Sequence, residues 1–88
     1  MRTFADLKRT LKPGLKLKVL AHWQEKLIGT TRTVDAVQTN GYWFYTEGDA
    51  RRMWADLGKA SNWAFPSTSQ AQFSMGDRGW TLEVVEAA

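Results

Sequence analysis

The chain has no cysteine, so disulfides and thiolate metal sites are excluded and a reducing compartment is permitted. Histidine is almost as scarce. His22 stands alone, which leaves a structural zinc site without its ordinary ligands and a His-dependent nucleophile without a recognisable partner. Ser61, Ser67, Ser69 and Ser74 occupy no nucleophile-elbow motif. Gly76-Asp77-Arg78-Gly79 lacks the spacing and the strand-to-helix context of a phosphate loop. No two carboxylates are forced together by the expected strand register. These absences argue against an enzyme and imply neither a cofactor nor a metal. No apolar run approaches the roughly 18–20 residues of a membrane span. The segment Met1 to Arg9 is charged throughout, where a signal peptide would have an apolar stretch. The expected location is cytoplasmic, with no membrane partner.

What is present is aromatic and unevenly charged. The 88 residues, read as one domain spanning 1–88, include five Trp, four Phe and two Tyr. A chain of this size buries only about 60–65% of its unfolded surface, so some of these rings must stay partly exposed. The net charge is +3, but residues 1–26 hold seven bases against two acids, a net of +5, and the remainder is net −2. A basic N-terminal third fits either a solubilising surface or attraction to a polyanion.

Local patterning reads as mostly β. Thr3 can cap a helix over 3–11, with Asp6 at its positive end and Phe4, Leu7 and Leu11 on one stripe. Pro13-Gly14 ends it. Leu15, Leu17, Val19 and Ala21 alternate with Lys16, Lys18, Leu20 and His22, which predicts a half-buried strand over 15–21 with His22 at its outer end. Residues 22–30 read as a connecting loop folded back to shelter Trp23, Leu27 and Ile28. Strands over 31–39 and 42–47 flank Asn40-Gly41, a strong signal for a two-residue hairpin whose turn positions need φ > 0. That register opposes Thr39 to Tyr42 and Ala36 to Tyr45. It places Val37, Tyr42 and Phe44 on one face, and Val34, Ala36, Trp43 and Tyr45 on the other. A strand over 51–55, an irregular stretch from 56 to 70, and a hairpin of strands 71–75 and 80–85 complete the chain. One short N-terminal α-helix with five or six short strands predicts a small SH3-like barrel, in preference to an OB-like one.

Binding is the function class left standing. Basic side chains track phosphates and exposed aromatics give bases a platform, so a nucleic-acid face would draw on Lys8, Arg9, Lys12, Lys16 and Lys18, joined by Arg51 and Arg52, with Trp43 and Tyr45 for stacking. The same residues fit a protein interface, whose centre favours Tyr, Trp, Phe, Met and Arg. Each also has an ordinary explanation. Outward lysines discourage edge-to-edge aggregation, Arg51 and Arg52 can pair with Glu47, Asp49 or Asp56, and Trp54, Trp63 and Trp80 can fill the core. One condition separates the readings. A nucleic-acid face needs the lysines and aromatics on the same side of the sheet, whereas a protein-binding face can use the aromatics alone. The chain is expected to act as a monomer or homodimer.

Gly29-Thr30-Thr31-Arg32-Thr33-Val34, Val37-Gln38-Thr39-Asn40-Gly41-Tyr42-Trp43-Phe44, Trp54 and Lys59-Ala60-Ser61 form a pattern that resembles short uncharacterised proteins of actinobacterial phages, prophages and other mobile elements. The resemblance runs from about Leu7 to Val85 and brings no assigned site residues. It implies a small accessory protein in a bacterial host cell, with DNA or a host protein as partner.

Overall fold

A computed structural model describes all 88 residues. Helix α1 spans Phe4–Thr10. Its start is fixed by a reciprocal cap. The Thr3 hydroxyl accepts from the Asp6 backbone N–H at 3.1 Å, and the Asp6 carboxylate accepts from the Thr3 N–H at 3.2 Å. Leu7 and Leu11 turn into the core.

Seven strands follow: β1 (Lys16–His22), β2 (Thr31–Gln38), β3 (Gly41–Thr46), β4 (Arg52–Asp56), β5 (Trp63–Ala64), β6 (Gln70–Met75) and β7 (Arg78–Glu86). They form one antiparallel sheet in the order β4-β3-β2-β1-β7-β6-β5. The protein is therefore mostly β with one short helix, as the patterning predicts. Single 3₁₀ turns lie at Glu25–Leu27 and Ala60–Asn62. No helix is long and apolar enough to cross a membrane.

The sheet has no second layer, so it must shelter its own apolar face. Leu15, Leu17, Val19, Val34, Tyr42, Phe44, Ala55, Ala71, Phe73 and Leu82 all point inward, and α1 contributes Leu7 and Leu11. Curling brings the two ends of the strand order into contact. The Trp63 indole at the β5 end donates to the carbonyl of Leu57, one residue past β4, at 2.7 Å in a buried setting. The hydrogen-bond ladder itself stays open, because β4 and β5 are not paired.

Five local expectations are corrected. The first hairpin turns on Thr39-Asn40, with Gln38 opposite Gly41 and Val37 opposite Tyr42, and no non-glycine residue has positive φ. Gly41 serves a different purpose from the expected turn. A Cβ there would lie 2.3 Å from Trp54 Cζ2 and 2.5 Å from the Ala55 carbonyl oxygen, so only glycine lets the indole lie against the strand. Second, Val34 faces inward opposite Phe44, since Asp35 is an extra residue in β2 that reverses the side-chain alternation. Third, Leu20 is a similar extra residue in β1 relative to β7. Beyond it Ala21 faces solvent and His22 faces inward opposite Trp80. Fourth, the stretch from 56 to 70 is not wholly irregular, for it holds the two-residue strand β5. Fifth, the segment after β1 leaves Trp23 and Ile28 exposed instead of sheltering them.

Candidate functional site

Direct pairing across four strands sets Lys16, Thr33, Tyr45 and Arg52 in one transverse row, all on the outer face. Period-two alternation adds Lys18 beside Lys16, Trp43 beside Tyr45 and Trp54 beside Arg52. Trp43 and Trp54 are directly paired, with ring centroids 5.1 Å apart at 59°. The Arg52 guanidinium lies 4.6 Å above the Trp43 ring and donates from Nε to Asp35 Oδ2 at 2.8 Å. Lysine and aromatic side chains thus share one face.

The face is not a bare positive patch. Asp35 holds Arg52, Glu86 stands 3.9 Å from Lys16, and Glu83 lies directly opposite Lys18. The other sequence-derived candidates lie elsewhere. Lys8 reaches over the Phe4 ring on α1, and Arg9 pairs with Asp6. Arg9 and Lys12 border a shallow groove with Ala87 and Ala88. Arg51 is occupied by Asp49, which accepts from both its backbone N–H and its guanidinium. That hydrogen bonding holds the Asp49 carboxyl below its ordinary range and raises Arg51.

Comparison with protein-family models, with curated proteins and with solved structures gives no significant match. The molecule's own geometry must carry the functional argument.

A second feature lies on the opposite face of β2. Arg32 is 5% exposed, the one charged residue in the buried set. Its guanidinium packs 4.3 Å from the Phe44 ring centroid and 6.0 Å from that of Trp80. No carboxylate lies within 4.0 Å of it, since the four ion pairs of the protein all involve other cations. It borders a cleft of about 200 Å³ shared with His22, Trp23, Leu27, Phe44, Met53 and Trp80.

The groups around Arg32 are short of acceptors. The Trp80 indole N–H and the Tyr42 hydroxyl are both buried without a hydrogen-bond partner. Burial pushes the Tyr42 phenol up, and the nearby Arg32 guanidinium opposes that rise through its charge and its approach to the hydroxyl. His22 stacks on Trp80 at 5.6 Å and 14°, and its Nδ1 accepts from the Gln24 N–H at 2.9 Å. Partial burial, then the Arg32 charge, lower the His22 pKa below 6.5. At the rim, Arg78 lies 5.0 Å over the exposed Trp23 ring. Only the alternation of β2 hinted at Arg32, and the bulge at Asp35 hid which face it would take.

Proposed function

We propose that the chain is a non-enzymatic binding protein of phage or mobile-element type that takes up single-stranded nucleic acid on its outer sheet face in a bacterial cytoplasm. The observation that carries this reading is the row Lys16–Thr33–Tyr45–Arg52 flanked by Trp43 and Trp54. Lys16, Lys18 and Arg52 supply phosphate contacts, and Trp43 and Tyr45 supply surfaces on which bases stack. The curled sheet, with Trp63 meeting Leu57 across its ends, supports the finer assignment to the SH3-like barrels. Use of a sheet face for nucleic acid in such barrels is an analogy of fold.

The test is fluorescence anisotropy of labelled single- and double-stranded oligonucleotides across a salt series, with Trp emission followed in parallel. Three phosphate contacts on a single strand give a log–log salt slope of about −2. Loss of one stacked base in Trp43→Ala weakens binding by about 1–3 kcal/mol. Absence of binding at low salt refutes the reading.

One observation favours a second reading, a host-protein adaptor or inhibitor. The acids Asp35, Glu83 and Glu86 neutralise the cations of the same face, which suits an aromatic protein interface better than a polyanion. Under that reading Trp43→Ala weakens partner capture, while Lys16→Glu with Lys18→Glu leaves it nearly unchanged.

A further inference from the structure

We infer that the inner cleft at Arg32 is a binding site for a small organic oxyanion, a carboxylate or phosphate carried on a planar apolar body. This site is separate from the outer face, because Arg32 points to the opposite side of β2 from Thr33. A buried guanidinium without a carboxylate is an uncommon expense in a folded chain, since removal of an ion from water needs compensation. Here the compensation from protein comes from the faces of Phe44 and Trp80 and from the neighbouring Tyr42 hydroxyl, none of them a charge. The planar fork of arginine matches the two oxygens of a carboxylate or phosphate, and the surrounding rings match a flat apolar body.

Size and surroundings agree. A cavity of about 150 Å³ accommodates benzene, so the cleft of about 200 Å³ has room for one ring and its anionic head. Its walls are Leu27, Phe44, Met53 and Trp80, with His22 beside them. Asp56 is the one carboxylate that lines it, and it accepts from the Gly58 N–H at 2.7 Å without pairing with Arg32. No side-chain acceptor of the protein bonds the Arg32 guanidinium with a charge of its own, so an incoming oxyanion supplies what the protein leaves out.

The experiment titrates the intact protein with 3-phenylpropionate, phenyl phosphate and the neutral 3-phenylpropionamide. It follows Trp emission together with the Arg32 Nε–H and Trp80 indole N–H resonances. Saturable shifts at those two resonances with either anion, and at least tenfold weaker binding of the amide, are expected; a charge-assisted hydrogen bond has that weight. The preferred anion separates a carboxylate ligand from a phosphate ester. Arg32→Met should abolish binding while the far-ultraviolet spectrum is retained. If that variant does not fold, the resonance shifts of the wild type decide alone. The inference is overturned if neither anion saturates below about 10 mM, if the amide binds equally, or if the shifts fall at Arg9 and Arg51 instead.

Discussion

Replacing Arg32 with methionine is expected to make the protein more stable. An ion withdrawn from water costs several kcal/mol even after relaxation. No carboxylate is near enough to offset that cost. The two ring contacts return about 0.5–2 kcal/mol each. The cleft spares the guanidinium part of the desolvation, so the net cost of the charge is only a fraction of the full penalty. Methionine keeps the apolar stem against Phe44 and removes the charge. The balance favours the variant by about 1–2 kcal/mol. For a domain of this size each kcal/mol shifts Tm by about 4–8 °C, so a rise of roughly 5–15 °C is expected.

Urea unfolding above the His22 titration range, followed by circular dichroism, measures the change directly, with an unchanged m-value showing that the unfolded state is not altered. The oxyanion that fits the cleft should raise the Tm of the wild type and leave that of the variant where it is. A variant less stable than the wild type by 1 kcal/mol or more would refute the reasoning, because Arg32 would then be a structural cation whose ring contacts outweigh its desolvation.

Other expectations follow from the same geometry. His22, the one histidine, should titrate below 6.5 in a proton NMR series, and Arg32→Met should move it upward by removing the secondary, charge-based cause. Because the unfolded chain protonates first, the His22 contribution to stability is complete above about 6.5 and falls away as pH drops through the folded pKa. Gly41→Ala should destabilise by about 1–3 kcal/mol in thermal melts, since the new methyl meets Trp54 and the Ala55 carbonyl. Trp63→Phe should cost about 1–3 kcal/mol in urea unfolding, as it leaves the buried Leu57 carbonyl without its donor. Asp35→Asn should free Arg52 and tighten single-stranded oligonucleotide binding with a steeper salt slope; weaker or unchanged anisotropy would count against the phosphate role of Arg52.

The elements were legible where a short-range rule decides them. Thr3 and Asp6 announce the helix start, and Leu15, Leu17 and Val19 announce the inner face of β1. The last hairpin falls at Gly76 as expected, but its turn is only Gly76-Asp77, with Gly76 at φ +64°, and Arg78 and Gly79 belong to β7 instead of to the expected four-residue turn. The first hairpin misleads for a physical reason. Asn40-Gly41 has turn composition, but Gly41 is demanded by an indole 13 residues further on, a contact that no local rule contains. Strand β5 is two residues long and too short to alternate. Of the predicted contact residues, Lys16, Lys18, Trp43, Tyr45 and Arg52 gather because alternation along paired strands is a sequence property. Arg9 and Arg51 do not join them, as each has a carboxylate within three residues that captures it first.

The inner cleft was illegible because two bulges govern it. Along β1, Leu20 is one residue too many against β7, and this turns His22 from the solvent side onto Trp80. Along β2, Asp35 is one too many against β3, so Arg32 and Val34 face inward while Val37, of opposite parity, pairs with the inward Tyr42 but stays exposed at the strand end. A strand without that extra residue could not carry Val34 and Val37 on the same side, and one of the two strand ends would have its pattern inverted. The bulged residue also has a task of its own, since its carboxylate reaches Arg52 on the outer face. A single irregularity in β2 therefore reconciles the inner and outer patterns. Thr31 and Thr33 share the solvent face with the lysines, and Arg32 between them is committed to the interior. The two proposed binding surfaces are back to back on one strand, so Arg32→Met should leave oligonucleotide affinity unchanged, and Trp43→Ala should leave oxyanion binding unchanged. Coupled loss in either variant would mean that the sheet transmits a change across its thickness, and the two surfaces would then have to be treated as one site.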